Sequence, residues 1–117
     1  MSAEILVYGS DALLLNTRRL ILESRGYRVF VATNRRDALR IIPFHEITLV
    51  VWCSSASRLE RENGMIVLSA LKPQLKNVVL SPGSSADAER GADRVLDSTQ
   101  GPEALLTAIE VMLDQRA

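Results

Sequence analysis

Residues 4 to 8, EILVY, form a short apolar run that stops at Gly9-Ser10, and a leucine-rich segment with helical spacing begins directly after it. This pattern predicts a strand, a tight turn and a helix. Ser10 or Asp11 can cap the helix by accepting its free amide protons, and Leu13, Leu14, Thr17, Leu20, Ile21 and Ser24 are expected to make its inner face. Gly26 suits the left-handed position that ends such a helix. Tyr27 to Thr33, YRVFVAT, is β-branched and aromatic enough for a second strand, followed by a helix from Arg35 to Ile42 with Asn34 as its cap and Pro43 as its stop. Ile47 to Trp52, ITLVVW, is apolar without alternation, the mark of a central strand buried on both faces of a parallel sheet. A polar stretch, SSASRLEREN, follows Cys53, and the next helix is expected from about Gly64 through Lys72 with Met65, Val67, Leu68 and Leu71. Lys76 to Leu80 reads as a fourth strand, Ser84 to Arg90 as a short helix, and Arg94 to Leu96 as a brief fifth strand. Gly101-Pro102-Glu103 opens a last helix whose Leu105, Leu106, Ile109, Met112 and Leu113 face the core.

Strands that alternate with helices in this way predict a parallel sheet with helices on both faces, a three-layer α/β/α sandwich. The periodicity leaves the strand order open. It does gather four strand-to-helix loops, Gly9 to Asp11, Cys53 to Asn63, Ser81 to Ser85 and Asp97 to Gly101, at the carboxyl edge of the sheet, where α/β folds place their sites.

The length, 117 residues, predicts one domain over residues 1–117. At this size a core can bury roughly 65% of the extended-chain surface, so no disulfide or structural metal is needed. Cys53 is the lone cysteine, and together with a start that lacks a basic signal-like region it leads to the expectation of a reducing cytoplasm. No apolar run is long enough for a bilayer, so no membrane partner is expected. Fourteen basic and fourteen acidic residues cancel, which removes the electrostatic argument for direct nucleic-acid binding. The charges are nonetheless unevenly spread. Seven arginines lie between Arg18 and Arg40 against Glu23 and Asp37, giving either a wetted pair of helices or a basic partner-binding flank.

The carboxyl edge offers little to a catalyst. Asp11 is the single acid of the first loop, and one His with one Cys cannot build a zinc site within one copy. His45 precedes the third strand and Cys53 follows it, so they fall at opposite edges and cannot act as a nucleophile pair. Cys53 itself is expected to be a small buried residue, with a thiolate activated by helix termini as the alternative. The Gly9-Ser10 turn lacks the G-x-G-x-x-G spacing, and no phosphate loop occurs in the chain.

Six segments together resemble the receiver domain of two-component response regulators: ILVYGSD at 5 to 11, LESRGYRVFVATNRRDAL at 22 to 39, LVVWC at 49 to 53, VVLSP at 78 to 82, GADRVLD at 91 to 97 and PEALLTAIEVML at 102 to 113. The resemblance runs from end to end. It implies a flavodoxin-like (βα)5 parallel sheet of order 2-1-3-4-5. Receivers take a phosphoryl group on an aspartate after the third strand and hold Mg²⁺ with that residue and with acids after the first. Here the acceptor position is Cys53, and the paired-acid positions fall on Gly9-Ser10 or Ser10-Asp11. The phosphate-contacting hydroxyl corresponds to Ser81, the conserved lysine to Ser98, and the aromatic switch residue to Val95. Mg²⁺ demands an octahedral shell of oxygens, which one carboxylate beside a thiol does not supply, so no metal and no cofactor are expected. Glu60 or Glu62, in the polar stretch after Cys53, could complete a ligand set only by swinging inward.

The expected function is a phosphorylation-independent pseudo-receiver, not an enzyme, that serves as a protein-interaction or dimerisation module in signalling or transcriptional regulation. A small-ligand or redox sensor using the vacant strand edge and Cys53 is the first alternative, and an active phosphoacceptor receiver is the second. A protein partner or a weak homodimer is expected. Its face, by the resemblance, comprises the fourth helix, fifth strand and last helix, with polar positions Asp87, Glu89, Arg90, Asp93, Arg94, Glu110 and Asp114. The first two helices, with Arg18, Arg19, Arg25, Arg35, Arg36 and Arg40, would form an opposite, basic flank.

Overall fold

Alternate side chains of each central strand leave the sheet on opposite faces, and here both sets are apolar. Ile5, Val7, Leu49, Val51, Cys53, Val78 and Leu80 enter one core cluster, while Leu6, Tyr8, Val50, Trp52 and Val79 enter the other. The computed structural model, which describes residues 3–53, 56–81 and 91–114, therefore has a sheet with no wetted face at its centre. Its strands are β1 (Glu4–Tyr8), β2 (Arg28–Ala32), β3 (Ile47–Trp52), β4 (Lys76–Ser81) and β5 (Arg94–Asp97), all parallel in the order β2-β1-β3-β4-β5. The helices are α1 (Ala12–Glu23), α2 (Arg35–Ile41), α3 (Arg58–Leu71) and α4 (Pro102–Asp114), with 3₁₀ turns at Ile42–Phe44 and Ser98–Gln100. This is the flavodoxin-like α/β sandwich expected from the resemblance.

Leu15 and Leu22 of α1 and Leu105, Leu106, Ile109, Met112 and Leu113 of α4 cover one face. Ala38 of α2 and Met65 and Leu68 of α3 cover the other, together with Ile42. Each leucine, isoleucine and methionine among these contributes about 1.5 to 3 kcal/mol on full burial.

Three details differ from the sequence reading. The inner face of α1 is phased on Leu15 and Leu22, whereas Leu13 and Leu20 are 78% and 54% exposed. Leu13, Leu14 and Leu15 make three phases equally apolar, and the docking of the helix selects among them. Helix α3 starts at Arg58, not near Gly64, because Ser57 caps it by accepting from the Glu60 amide at 3.1 Å. Its first inward residue is polar. Arg61, only 7% exposed, folds back to donate to the Ala56 carbonyl, so the apolar period that would have revealed the first turns is missing. Third, α1 and α4 share a face of the sheet, so the arginines of α1 do not lie across the molecule from the acids of α4. The helix expected over Ser84 to Arg90 lies outside the described residues.

Candidate functional site

The carboxyl edge is assembled by the parallel register. Tyr8 lies beside Trp52 and Ala32, Gly9 donates to the Ala32 carbonyl at 3.2 Å, and Cys53 donates to the Tyr8 carbonyl at 2.8 Å. Ser81 is paired with Asp97 at the ends of β4 and β5. Ser10, Asp11, Cys53, Ser81 and Ser98 thus all belong to one edge.

Asp11 is the cap of α1, its Oδ1 accepting from the amides of Leu13 and Leu14 at 3.1 and 3.2 Å. Cys53 is fully buried, turned into the core among Val7, Val51 and Leu80 instead of out toward solvent. Burial pushes its thiol up to about 11, and the positive charge of Arg18 pulls it back only in part. A thiol held neutral in this way is a poor nucleophile. Ser98 begins the 3₁₀ turn that Asp97 caps, with Oδ1 of Asp97 accepting from Thr99 N at 2.9 Å and Thr99 Oγ1 at 2.7 Å. Val95 packs against the second core cluster. No group of three or more His, Cys, Asp or Glu placed to hold a metal ion occurs among the described residues.

Glu60 and Glu62 do not turn toward Cys53. Glu62 pairs with Arg58 at 3.0 Å, and Glu60 Oε1 accepts from the Tyr8 hydroxyl at 2.7 Å. Tyr8 is buried, and its ring lies 4.8 Å from that of Trp52. Desolvation first, then the hydrogen bond and charge of Glu60, push the Tyr8 phenol far above its ordinary value. The pair is not legible in the sequence, because the stretch around Glu60 is polar without a helical period and reads as a loop, in which a side chain has no fixed direction.

Arg18, expected on an outer basic flank, is instead partly buried. Spaced three after Leu15 and four before Leu22, Arg18 continues the inner face of α1, a signal available once the phase of that helix is known. Its Nη1 is buried and has no hydrogen-bond partner among the described residues. Arg18 lines a cleft of about 160 Å³ between α1 and the start of α4, floored by Leu80 and Leu96 and bounded by Ser98, Gly101 and Pro102.

The polar positions assigned to an interaction face are dispersed in use. Asp93 is tied to β4, its Oδ2 accepting from the Asn77 amide at 2.6 Å while its own amide donates to the Asn77 carbonyl at 2.8 Å. Glu110 is 3.3 Å from Arg25, which also meets Glu103 at 3.3 Å. Arg94 and Asp114 are exposed. Asp87, Glu89 and Arg90 lie outside the described residues. Among the described residues no helix is long and apolar enough to cross a membrane.

No protein-family model matches the sequence, and no curated protein matches it as a relative. Solved structures do match it over almost the whole chain. A CheY-like response regulator receiver domain protein from Methanospirillum hungatei JF-1 superimposes with a TM-score of 0.84 at 23% identity, covering 98% of this chain and 96% of that one. A two-component response regulator from Clostridium difficile gives 0.84 at 16% identity, covering 97% and 98%. A response regulator receiver domain protein from Clostridium thermocellum gives 0.83 at 21% identity, covering 97% and 96%. With the strand order, the helices on both faces and these superpositions together, the fold of the chain is that of the CheY-like receiver domain.

Proposed function

We propose that the protein is a receiver-like module of a signalling or transcriptional regulator that works without phosphorylation. One observation carries the reading: where receivers present a phosphoacceptor aspartate, this chain has a fully buried thiol that belongs to the hydrophobic core. The surrounding positions agree with it. Asp11 is engaged as a helix cap, and Ser98 stands where a lysine would neutralise an incoming phosphoryl group. A scaffold of this kind acts by offering a surface, so its partners are a protein or, weakly, a second copy, in the cytoplasm and without direct contact to nucleic acid or membrane. Catalysis has no part in this role.

Intact-mass measurement of the protein incubated with acetyl phosphate and Mg²⁺ tests the reading. The expected result is an unchanged mass with and without the ion. A Mg²⁺-dependent gain of one phosphoryl group would overturn it and return the chain to the active receivers.

A further inference from the structure

The cleft between α1 and the start of α4 joins three features that point to one kind of ligand. Its floor and sides are apolar, from Leu14, Ile21, Leu80, Leu96 and Leu105. Its wall includes Arg18, whose Nη1 is shielded from water and donates to no acceptor among the described residues. Arg18 is partly exposed as a residue, but this one nitrogen is held out of water without the acceptor that a cationic donor shielded in this way ordinarily has. Gly101 and Pro102 bring the positive end of a thirteen-residue helix, α4, to the same wall.

The charges that face the cleft can be set against each other. Asp97 also lines it, but Oδ1 of that carboxylate accepts from both the amide and the hydroxyl of Thr99. Glu103, in the first turn of α4, is within 3.3 Å of Arg25. Cys53, close enough to feel the charge of Arg18, is held as the neutral thiol. Among the described residues, Arg18 is left as the cation at the cleft that has no ionic partner.

We propose that this cleft binds a small carboxylic acid with a compact apolar body, the carboxylate taken by the Arg18 guanidinium and the body by the leucine-lined floor. The size agrees, since a cavity of roughly 150 Å³ accommodates a benzene ring. An arginine fork matches a carboxylate in geometry as well as in charge. Such binding would tie α1 to α4 at the carboxyl edge, beside the position that phosphorylation would occupy in a receiver. The assignment stands on the cleft alone and does not depend on the interaction role proposed above.

Benzoate, hexanoate and inorganic phosphate, titrated separately into the isotope-labelled full chain, test it through amide chemical shifts. Benzoate or hexanoate is expected to give saturable shifts at Thr17, Ser98 and Leu105, with affinity reduced about tenfold or more by Arg18→Met and unchanged by Arg19→Met. Arg18→Met is expected to melt no lower than the parent, because the group it removes has no acceptor, and benzoate should raise the melting temperature of the parent alone. Absence of saturable shifts at concentrations on the order of 50 mM would overturn the proposal. Undiminished binding by Arg18→Met would do the same, as would phosphate binding as tightly as benzoate. A variant that melts well below the parent would show the guanidinium to be a structural cation and would count against the site.

Discussion

At the scale of single residues, Gly64 lets α3 pack directly against the Trp52 ring. A Cβ added at Gly64 of α3 would lie 2.7 and 2.8 Å from the Trp52 ring carbons Cη2 and Cζ3, inside van der Waals contact. The ring cannot give way, because it is fully buried and its Nε1 donates to Asn77 Oδ1 at 2.9 Å. Two effects therefore compete in Gly64→Ala. Helix propensity favours alanine by about 1 kcal/mol, whereas overpacking costs about 1 to 3 kcal/mol. Overpacking is expected to win, and urea denaturation should show a lower midpoint for the variant. Trp52→Phe removes the donor as well as ring volume and leaves the buried side-chain oxygen of Asn77 unsatisfied, an expected loss of about 2 to 4 kcal/mol. A double-mutant cycle with Asn77→Ala should return a coupling of about 1 kcal/mol; additivity would mean that the hydrogen bond contributes nothing.

At the scale of elements, α4 illustrates how a helix end is completed from outside its own sequence. Its last turn contains no basic residue, yet Lys76 at the start of β4 donates its Nζ to the Met112 carbonyl at 2.6 Å. The ammonium satisfies one of the carbonyls left over at a helix C-terminus and opposes the negative end of its dipole. Replacing it by a side chain of similar length without charge, Lys76→Met, is expected to cost about 1 kcal/mol. The loss should appear as faster amide exchange in the last turn of α4, with the start of that helix unaffected. Uniform acceleration along α4 would contradict this local role. The same long-range dependence explains which elements could be read from the chain. Strands β1 and β3 were legible to their end residues because burial on both faces writes an uninterrupted apolar run, and α4 was legible because its apolar positions keep one phase. Helix α3 lost its first six residues because an inward arginine and an inward glycine, Arg61 and Gly64, carry no hydrophobic signal. The Tyr8–Glu60 pair was hidden with the first turns of α3, whereas the place of Arg18 in the cleft was hidden by the three equally apolar phases of α1.

At the scale of the whole molecule, three weak acids among the described residues are held neutral inside or against the core. Cys53 rises to about 11 through burial, and both Tyr8 and Tyr27 rise, each chiefly through desolvation. In the unfolded chain a thiol titrates at about 8.5 and a phenol at about 10. A group whose pKa is raised by folding contributes fully below its unfolded value, because the neutral form is then present in both states. As pH rises beyond that value the unfolded chain sheds its proton while the folded chain keeps it, and stability falls until the folded pKa is passed. For Cys53 this window opens near pH 8.5 and closes at about 11, with a slope of at most about 1.4 kcal/mol per pH unit. The tyrosines steepen the fall only from about pH 10 upward. Urea midpoints at pH 7, 9 and 10 should therefore decline in the parent, and Cys53→Ala should remove the decline between pH 8.5 and 10. The alanine variant starts from a lower stability because a buried sulfur is lost, so the comparison rests on the slopes and not on the absolute values. Parallel slopes in the two proteins would mean that the thiol ionises as readily in the folded state as in the unfolded one. That result would place Cys53 in contact with water, contrary to its position in the core beside Val51 and Leu80.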